Sequence, residues 1–554
     1  MKTRLVVIGG VAGGATAAAR ARRIDEHADI TLLERGPYVS YANCGLPYFI
    51  AGDIEKRSKL LLQTPEGFDR RYRIDAKVNT EALEIDRAGK RVKVRGPSGE
   101  AWLPYDKLIL AQGGNPILPA LPGSDAPHAF KLWTVPDMDR IHSFISEQKP
   151  KSAVVVGGGF IGLEMAEAFQ KRGIETTVVE LLPTVMGVMD REFGVQVARE
   201  LLANGVRAVT GVGLKAVDAG AKTVELSDGR HLPAELVLFS VGVRPELTLA
   251  KRAGLEIGPS GGLLVDEFLQ TSDPSIWAAG DMVEIEHRVS GKRVRIPLAG
   301  PANRQGRLAA SNAMGVRASY RGALGTSVVK IFEATAAMTG LTEKAARDLG
   351  LEVGVAVIHK DDHAGYFPGG RELSLKLVYE RPSGKLLGAQ AFGHRGVDKR
   401  IDVLATALAG KLTVHDLAEL DLAYAPPYSS ANDPLNLVAF IAENELSGFS
   451  PLITAPQLKA ELEGPHHPVI LDVRTEGEFA KGHFAGALHI PIDELRERLH
   501  QVPRERRVVV HCRSGFRGHL AVRLLLEQGY TNVANLTGGW VSLELEGGFP
   551  IARK

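Results

Sequence analysis

Two stretches of this chain carry one and the same constraint: an apolar strand, a tight glycine-rich turn, a helix, a second strand, then an acidic residue. The first, TRLVVIGGVAGGATAAARARRIDEHADITLLER, leads through Glu34 to Arg35, and the second, SAVVVGGGFIGLEMAEAFQKRGIETTVVE, ends at Glu180. Such a turn lets backbone approach a dinucleotide pyrophosphate while the helix amides face the phosphates, and an acid about 20 residues further on accepts hydrogen bonds from a ribose diol. The second stretch has the full G-x-G-x-x-G spacing at Gly157, Gly159 and Gly162. The first has Gly9, Gly10, Gly13 and Gly14 around Val11 and Ala12, so a valine stands where the pattern's second glycine falls. That should loosen the approach to a pyrophosphate, although Gly10 and Gly13 leave the turn permissive. No Arg or Lys follows Glu180 immediately to hold a 2′-phosphate, so NADH is expected in preference to NADPH.

SYANCGLPY follows the first unit and places Cys44 near whatever that turn binds. The chain has two cysteines, Cys44 and Cys512, too far apart for an adjacent dithiol and too few for a disulfide framework. Cys44 reads either as an inert buried thiol or, with Asn43, Gly45 and Pro47 around it beside a dinucleotide fold, as a redox group. In the first helix Thr16, Arg20 and Arg23 recur at offsets of four and three and share a face. That face is either ordinary solvated surface or the seat of an anion-bearing thiol substrate.

A basic start followed by an apolar run could pass for a signal peptide, but the glycines at turn spacing and the acid-terminated strand favour a nucleotide fold and a cytoplasmic location. No apolar stretch is long enough to span a membrane. The formal net charge of +2 across 554 residues gives no argument for nucleic acid or an anionic lipid surface, and no metal site is expected. A 44% hydrophobic content over this length can build several cores. YDKLILAQGGNP and ELVLFSVGVRPE read as strands returning to the first and second sheets, and TSDPSIWAAGD places Asp281 after a short strand, as a flavin ribityl contact or a turn cap.

With these motifs in place, residues 1 to about 446 resemble the flavoprotein pyridine nucleotide-disulfide oxidoreductase family. The resemblance implies FAD at the first glycine turn with Glu34, Arg35 and Asp281, and NAD(P)H at the second. The lone cysteine resembles the family's single-cysteine branch of coenzyme A-disulfide reductases, NADH oxidases and NADH peroxidases. The last two place a histidine in the first turn where this chain has Ala12, which favours the coenzyme A-disulfide reductases; in that branch a Val11-type variation is ordinary. The same resemblance implies a coenzyme A pocket from Thr16, Arg20, Arg23, Ser40, Asn43, Asn303 and Arg307, with Arg71 as a looser candidate and Asn432 as a further substrate contact. Arginine suits coenzyme A phosphates through paired charge-assisted hydrogen bonds.

GTSVVKIF, VGVAVIHK and LSLKLVYE read as strands of a mixed sheet and KRIDVLATALAG as a helix. The resemblance makes this a dimerisation domain in which Tyr366 and Tyr424 reach across a homodimer to the partner's cysteine, while Tyr428 is expected to be structural. Gly, Ser and Pro in SGFSPLITAPQL mark a boundary, after which short apolar strands alternate with helices. There CRSGFRG puts Cys512 between a strand and a helix, where backbone amides can wrap an anionic sulfur. This loop, LDVRTEGEF, GHFAGALHIP and the late GGW resemble a rhodanese domain, with Arg513 and Arg517 as sulfur-pocket residues and Asp472 and Arg474 as structural anchors.

The expected fold is α/β: two nucleotide-binding Rossmann-like domains, an α+β dimerisation domain and a C-terminal rhodanese α/β domain. The expected boundaries are 1–115 and 245–325 for the FAD-binding domain, 116–244 for the NAD(P)H-binding domain, 326–446 for dimerisation, 447–455 for a linker and 456–554 for the rhodanese domain. The expected function is NADH-driven reduction of coenzyme A persulfide, polysulfide or coenzyme A disulfide through Cys44, with Cys512 carrying sulfane sulfur. The alternatives are an NADH oxidase or peroxidase with an accessory rhodanese module, and a sulfur-carrier protein without reductase turnover.

Overall fold

The computed structural model describes residues 2–553. The chain divides into two compact units, one made of residues up to Val185 with Leu201–Gly325, the other of Met186–Glu200 with the residues from Thr326 onward.

In the first unit, β1 (Arg4–Ile8), α1 (Ala12–Ile24) and β2 (Asp29–Leu33) precede Cys44; α2 (Leu46–Ala51), β3 (Ile74–Lys77) and β4 (Lys107–Leu110) follow it. These strands form a parallel sheet in the order β4–β1–β2–β3, with Val7 opposite Leu32 and Ile109. Leu5, Val7, Leu32, Leu108, Ile109 and Leu110 are fully buried, each burial contributing roughly 1.5–3 kcal/mol. Such strands read as unbroken apolar runs because a parallel sheet is covered on both faces.

β5 (Ala129–Lys131), β6 (Ser152–Val156), α3 (Phe160–Lys171), β7 (Glu175–Glu180), β8 (Arg207–Thr210) and β9 (Leu236–Phe239) come next. Their strands build a second parallel sheet in the order β8–β7–β6–β9–β5. β10 (Ile276–Ala278) then pairs with β4, so the chain leaves the first sheet, completes the second and returns. α4 (Ala299–Ala313) follows and packs along α1. A Cβ on Gly306 would lie 2.1 Å from the Gly13 carbonyl oxygen, so the two helices approach this closely only through glycine.

The second unit contains β11 (Ser327–Ile331), β12 (Ala334–Gly340), β13 (Val353–Asp361), β14 (Glu372–Glu380) and β15 (Leu386–Gly393), in the sheet order β11–β12–β15–β14–β13. The sequence predicts a mixed sheet here; every pairing is instead antiparallel. The reason is connection length, since Phe332 and Glu333 alone join β11 to β12, and parallel neighbours need a long crossover. α5 (Val397–Gly410) and α6 (Pro434–Leu446) complete this part. Buried Lys376 on β14 holds it to the 186–200 segment, with Nζ 2.6 Å from Glu192, 2.9 Å from Asp190 and 2.8 Å from Glu343.

β16 (Leu452–Ile453), β17 (Val469–Asp472), β18 (Leu488–His489), β19 (Val508–His511), α7 (Phe516–Glu527), β20 (Val533–Leu536) and α8 (Gly539–Glu546) form the C-terminal part. Its sheet is parallel, in the order β16–β20–β19–β17–β18. It docks on β13, the edge strand of the antiparallel sheet. Thr537 Oγ1 accepts from the Val357 N–H at 2.8 Å and donates to the Val357 carbonyl at 3.2 Å. His359 lies between Ser374 Oγ at 2.8 Å and Ser542 Oγ at 3.2 Å. Arg199 and Arg191 donate to the Glu544 and Leu545 carbonyls at 3.1 and 3.3 Å, groups that a helix end leaves without intrahelical partners.

Candidate active site

The two glycine turns share one construction. Gly9 has φ +102° and Gly157 φ +107°, and a Cβ on Gly14 or Gly162 would fall 1.7 or 2.0 Å from the carbonyl oxygen of Gly9 or Gly157. Val11 takes φ −101°, on the negative side that L-residues adopt, so this position does not call for glycine's positive φ. Glu34 accepts from the Gly10 N–H at 2.8 Å and the Gly36 N–H at 2.7 Å; Glu180 accepts from Gly158 at 2.7 Å and Leu182 at 2.8 Å. Each carboxylate therefore ties its strand end to its turn, and each oxygen keeps a second lone pair for a ribose hydroxyl.

A cavity of about 280 Å³ opens on the first turn, lined by Gly9–Gly13, Glu34, Arg35, Asn43 and Asp281 among others. Arg35 is held by Asn115 at 2.7 Å and faces Glu246 at 3.8 Å. The preceding Gly280 N–H binds Gln305 at 2.7 Å and fixes the loop of Asp281, whose carboxyl burial pushes up to about 6. Ser40 sits at φ +45° with its N–H on the Gly10 carbonyl at 2.7 Å, which sets the path of the Cys44 segment over the turn.

Cys44 is exposed in a 3₁₀ turn, Asn43–Gly45, immediately before α2. Crowding by the surrounding protein, then the charges of Glu164 and Asp281, raise its thiol pKa. Tyr48, one helical turn on, donates to Glu164 Oε1 at 3.1 Å, and burial pushes the Glu164 carboxyl up to about 7. Neither Tyr48 nor Glu164 is singled out by the sequence reading, although one lies inside SYANCGLPY and the other in the helix of the second fingerprint.

α1 and α4 bring together several of the proposed coenzyme A residues. Thr16 Oγ1 donates to Asn303 Oδ1 at 2.7 Å, and Arg20 Nε to Ser311 Oγ at 3.0 Å. Arg23 on α1 and Arg307 on α4 are exposed on the same pair of helices. Arg71 is exposed in the last turn of the helix Pro65–Tyr72, and no hydrogen bond joins it to this group. Asn432 belongs to the second unit, where it is exposed and its carbonyl accepts from Ser430 Oγ at 2.7 Å.

Within the second unit the structure joins Tyr366 and Tyr424 through their hydroxyls at 2.7 Å, and this bond raises the Tyr424 phenol. Their loops share an anchor that the sequence reading missed. Fully buried Arg400 donates to the Asp362 carbonyl at 2.9 Å and to both Asp433 oxygens at 3.1 Å. Tyr428, expected to be structural, projects from its loop in the single chain. It is 73% exposed and lines a cavity of about 550 Å³ with Tyr424, Arg395 and Lys399. The cause is the loop itself, where Ala425, Pro426 and Pro427 project the ring while Ser429 Oγ is tied to Asp433 at 2.6 Å.

Cys512 is buried, 2% exposed, at the end of β19, and Gly515 N–H points at its Sγ from 3.1 Å. Trp540 N–H holds its carbonyl at 2.8 Å, and Asn535 Nδ2 holds the Gly515 carbonyl at 3.0 Å. Arg517 makes a two-pronged pair with Glu478 at 2.7 and 2.8 Å, holding that carboxyl down to about 2. Arg513 turns to Glu372 at the start of β14, 2.6 Å away. Asp472 and Arg474 are buried partners, with Arg474 also on the Gly482 carbonyl at 2.8 Å, as a pair of structural anchors should be.

The family model for pyridine nucleotide-disulphide oxidoreductases matches residues 3–306, the dimerisation domain of the same family matches 326–434, and the rhodanese-like domain matches 454–546. The Pyrococcus horikoshii protein named NAD(P)H coenzyme A polysulfide/persulfide reductase is 36% identical over 446 residues, covering 79% of this chain and 98% of its own. The solved structure of reduced Bacillus anthracis CoADR-RHD matches with TM-score 0.95 at 42% identity over 98% of both chains. The NAD-dependent persulfide reductase from A. fulgidus matches with TM-score 0.91 at 39% identity over 98% of this chain and all of its own.

Proposed function

Because the chain belongs to the pyridine nucleotide-disulphide oxidoreductase family and carries a rhodanese-like domain, we propose that it uses NADH to reduce the sulfur–sulfur bonds of coenzyme A persulfide, polysulfide or coenzyme A disulfide. The observation that supports this most directly is a single thiol, Cys44, in the electrostatic reach of Asp281 on the first cavity, beside a helix pair carrying Thr16, Arg20 and Asn303.

The family implies FAD and NAD(P)H, and the residues present fit them. The first turn, Glu34 and half-buried Asp281 line a cavity, and Glu180 repeats the geometry of Glu34 at the second turn. Bound together, the two cofactors supply the electron pair that returns oxidised Cys44 to its thiolate. That thiolate attacks the inner sulfur of R–S–SH, forming Cys44–S–S–R and releasing HS⁻; two electrons and one proton then release RSH. Arg20, Arg23, Asn303 and Arg307 hold the coenzyme A phosphates and polar arm.

The dimerisation domain supports a homodimer, in which Tyr366 and Tyr424 serve the Cys44 of the other subunit, and we assign this dimer to the cytoplasm. One hydroxyl donates to the other, so the acceptor's own proton is free for the departing sulfur. Cys512 carries sulfane sulfur as a persulfide. Ala12, lining the first cavity, offers no side-chain donor to a reduced oxygen species, which weighs against a peroxidase.

Anaerobic stopped-flow tests this reading. NADH should bleach the visible absorbance of the FAD-loaded protein, and coenzyme A persulfide should restore it with release of sulfide. Bleaching that the persulfide cannot reverse would overturn the substrate assignment.

A further inference from the structure

The C-terminal sulfur site borrows a charge from outside its own fold. Arg513 follows Cys512 directly, yet its guanidinium binds Glu372, the first residue of β14 in the antiparallel sheet, at 2.6 Å. Arg517, the other cation of the loop, is held by Glu478. Each arginine of the loop is therefore matched by a carboxylate from another element, a formal balance of zero beside a buried thiol.

We propose that Glu372 is a specificity-determining residue of the Cys512 site: by neutralising Arg513 it disfavours thiosulfate and leaves the loop suited to alkyl persulfides that present a neutral, protonated sulfane sulfur. This rests on the reading of Cys512 as a sulfur carrier. With an alkyl persulfide, the Cys512 thiolate attacks the outer sulfur, its bond to the inner sulfur breaks, and Cys512–S⁻ + R–S–SH becomes Cys512–S–SH + R–S⁻. With thiosulfate, Cys512–S⁻ + S–SO₃²⁻ becomes Cys512–S–S⁻ + SO₃²⁻. In the second reaction a doubly charged donor meets an anionic sulfur and releases a doubly charged product, so a free guanidinium matters there and matters little in the first.

The geometry makes this pairing more than a mobile surface contact. β13 is bonded to the C-terminal part at Val357 and His359 and pairs along its length with β14, which fixes the origin of Glu372 relative to Arg513. The pair is also partly open to water, with side chains 55% and 35% exposed, so an incoming anion can contact Arg513 once its partner is removed.

The test uses the full-length, FAD-loaded protein with Cys44→Ser as background, so that one thiol alone can load, and follows the +32 Da persulfide adduct by intact mass. Glu372→Gln should speed loading from thiosulfate about three- to fivefold, the upper scale of one partly exposed charge contact, and change loading from cysteine persulfide less than twofold. Adding Arg513→Gln should return the thiosulfate rate to its starting level. An unchanged thiosulfate rate in Glu372→Gln would overturn the proposal, as would an equal rise with both donors, which signifies a loosened loop. If neither donor loads Cys512 in any variant, the carrier reading falls, and this proposal with it.

Discussion

At the scale of single residues, Cys44 and Glu164 divide the chemistry between them. Cys44→Ser should leave FAD binding and bleaching by NADH intact while abolishing persulfide turnover, because electron entry does not need the thiol and attack on sulfur does. Steady-state sulfide release measures this, and near wild-type release would remove Cys44 from its role. Glu164 adds a pH dependence. Its carboxyl titrates at about 7 in the fold against about 4.3 when exposed, so the native state binds this proton more tightly than the unfolded chain. The stability linked to it is full at low pH and lost as pH rises through 7. Glu164→Gln mimics the protonated form and should be more resistant to urea than wild type at pH 8 but not at pH 4. Ionised Glu164 also raises the Cys44 thiol, so the same variant should be alkylated faster by iodoacetamide at pH 8. Cys44 is legible in the sequence because its setting is local. Glu164 is not, since Tyr48 finds it across 116 residues of chain, and nothing in either segment alone announces the pairing.

At the scale of elements, α1 and α4 form the face on which a coenzyme A arm would lie. Replacing Arg20 and Arg23 together by Gln should raise KM for coenzyme A persulfide by about one to two decades, since a charged hydrogen bond contributes roughly 1.5–3 kcal/mol. A small uncharged persulfide should be little affected, and an equal loss with both substrates would indicate a damaged helix instead. The α1 face was readable from spacing, but its partner α4 was readable only through resemblance, because helix pairing is not periodic in sequence. β14 makes the same point for strands. Its apolar run was evident, yet its antiparallel neighbours follow from short connections, and Lys376 within it carries no sign of burial in its sequence context. Lys376→Met should destabilise the second unit by roughly 3 kcal/mol, because half-buried Asp190 and Glu192 would lose their cation, while Glu343 keeps Arg347. A lowered urea midpoint for that unit is the measurement.

At the scale of the whole molecule, the sequence shows where one fold ends and another begins, as the Gly, Ser and Pro around Ser447–Pro451 imply. It does not show that Thr537, Ser542 and Arg513 are bonded to Val357, His359 and Glu372, because interface partners belong to two independent patterns. One of these bonds reaches further than sulfur chemistry. Val357 lies on β13, an edge strand of seven successive buried residues, Val353–His359, whose outward N–H and carbonyl are occupied by Thr537. Cutting the chain at about residue 447 would bare that edge, and a long apolar edge is a template for strand addition by other molecules. The truncated protein should form soluble oligomers or aggregates on concentration, detectable by light scattering, and a lysine at Val357 should suppress them. The C-terminal fold thus caps an edge that the preceding sheet would otherwise leave open.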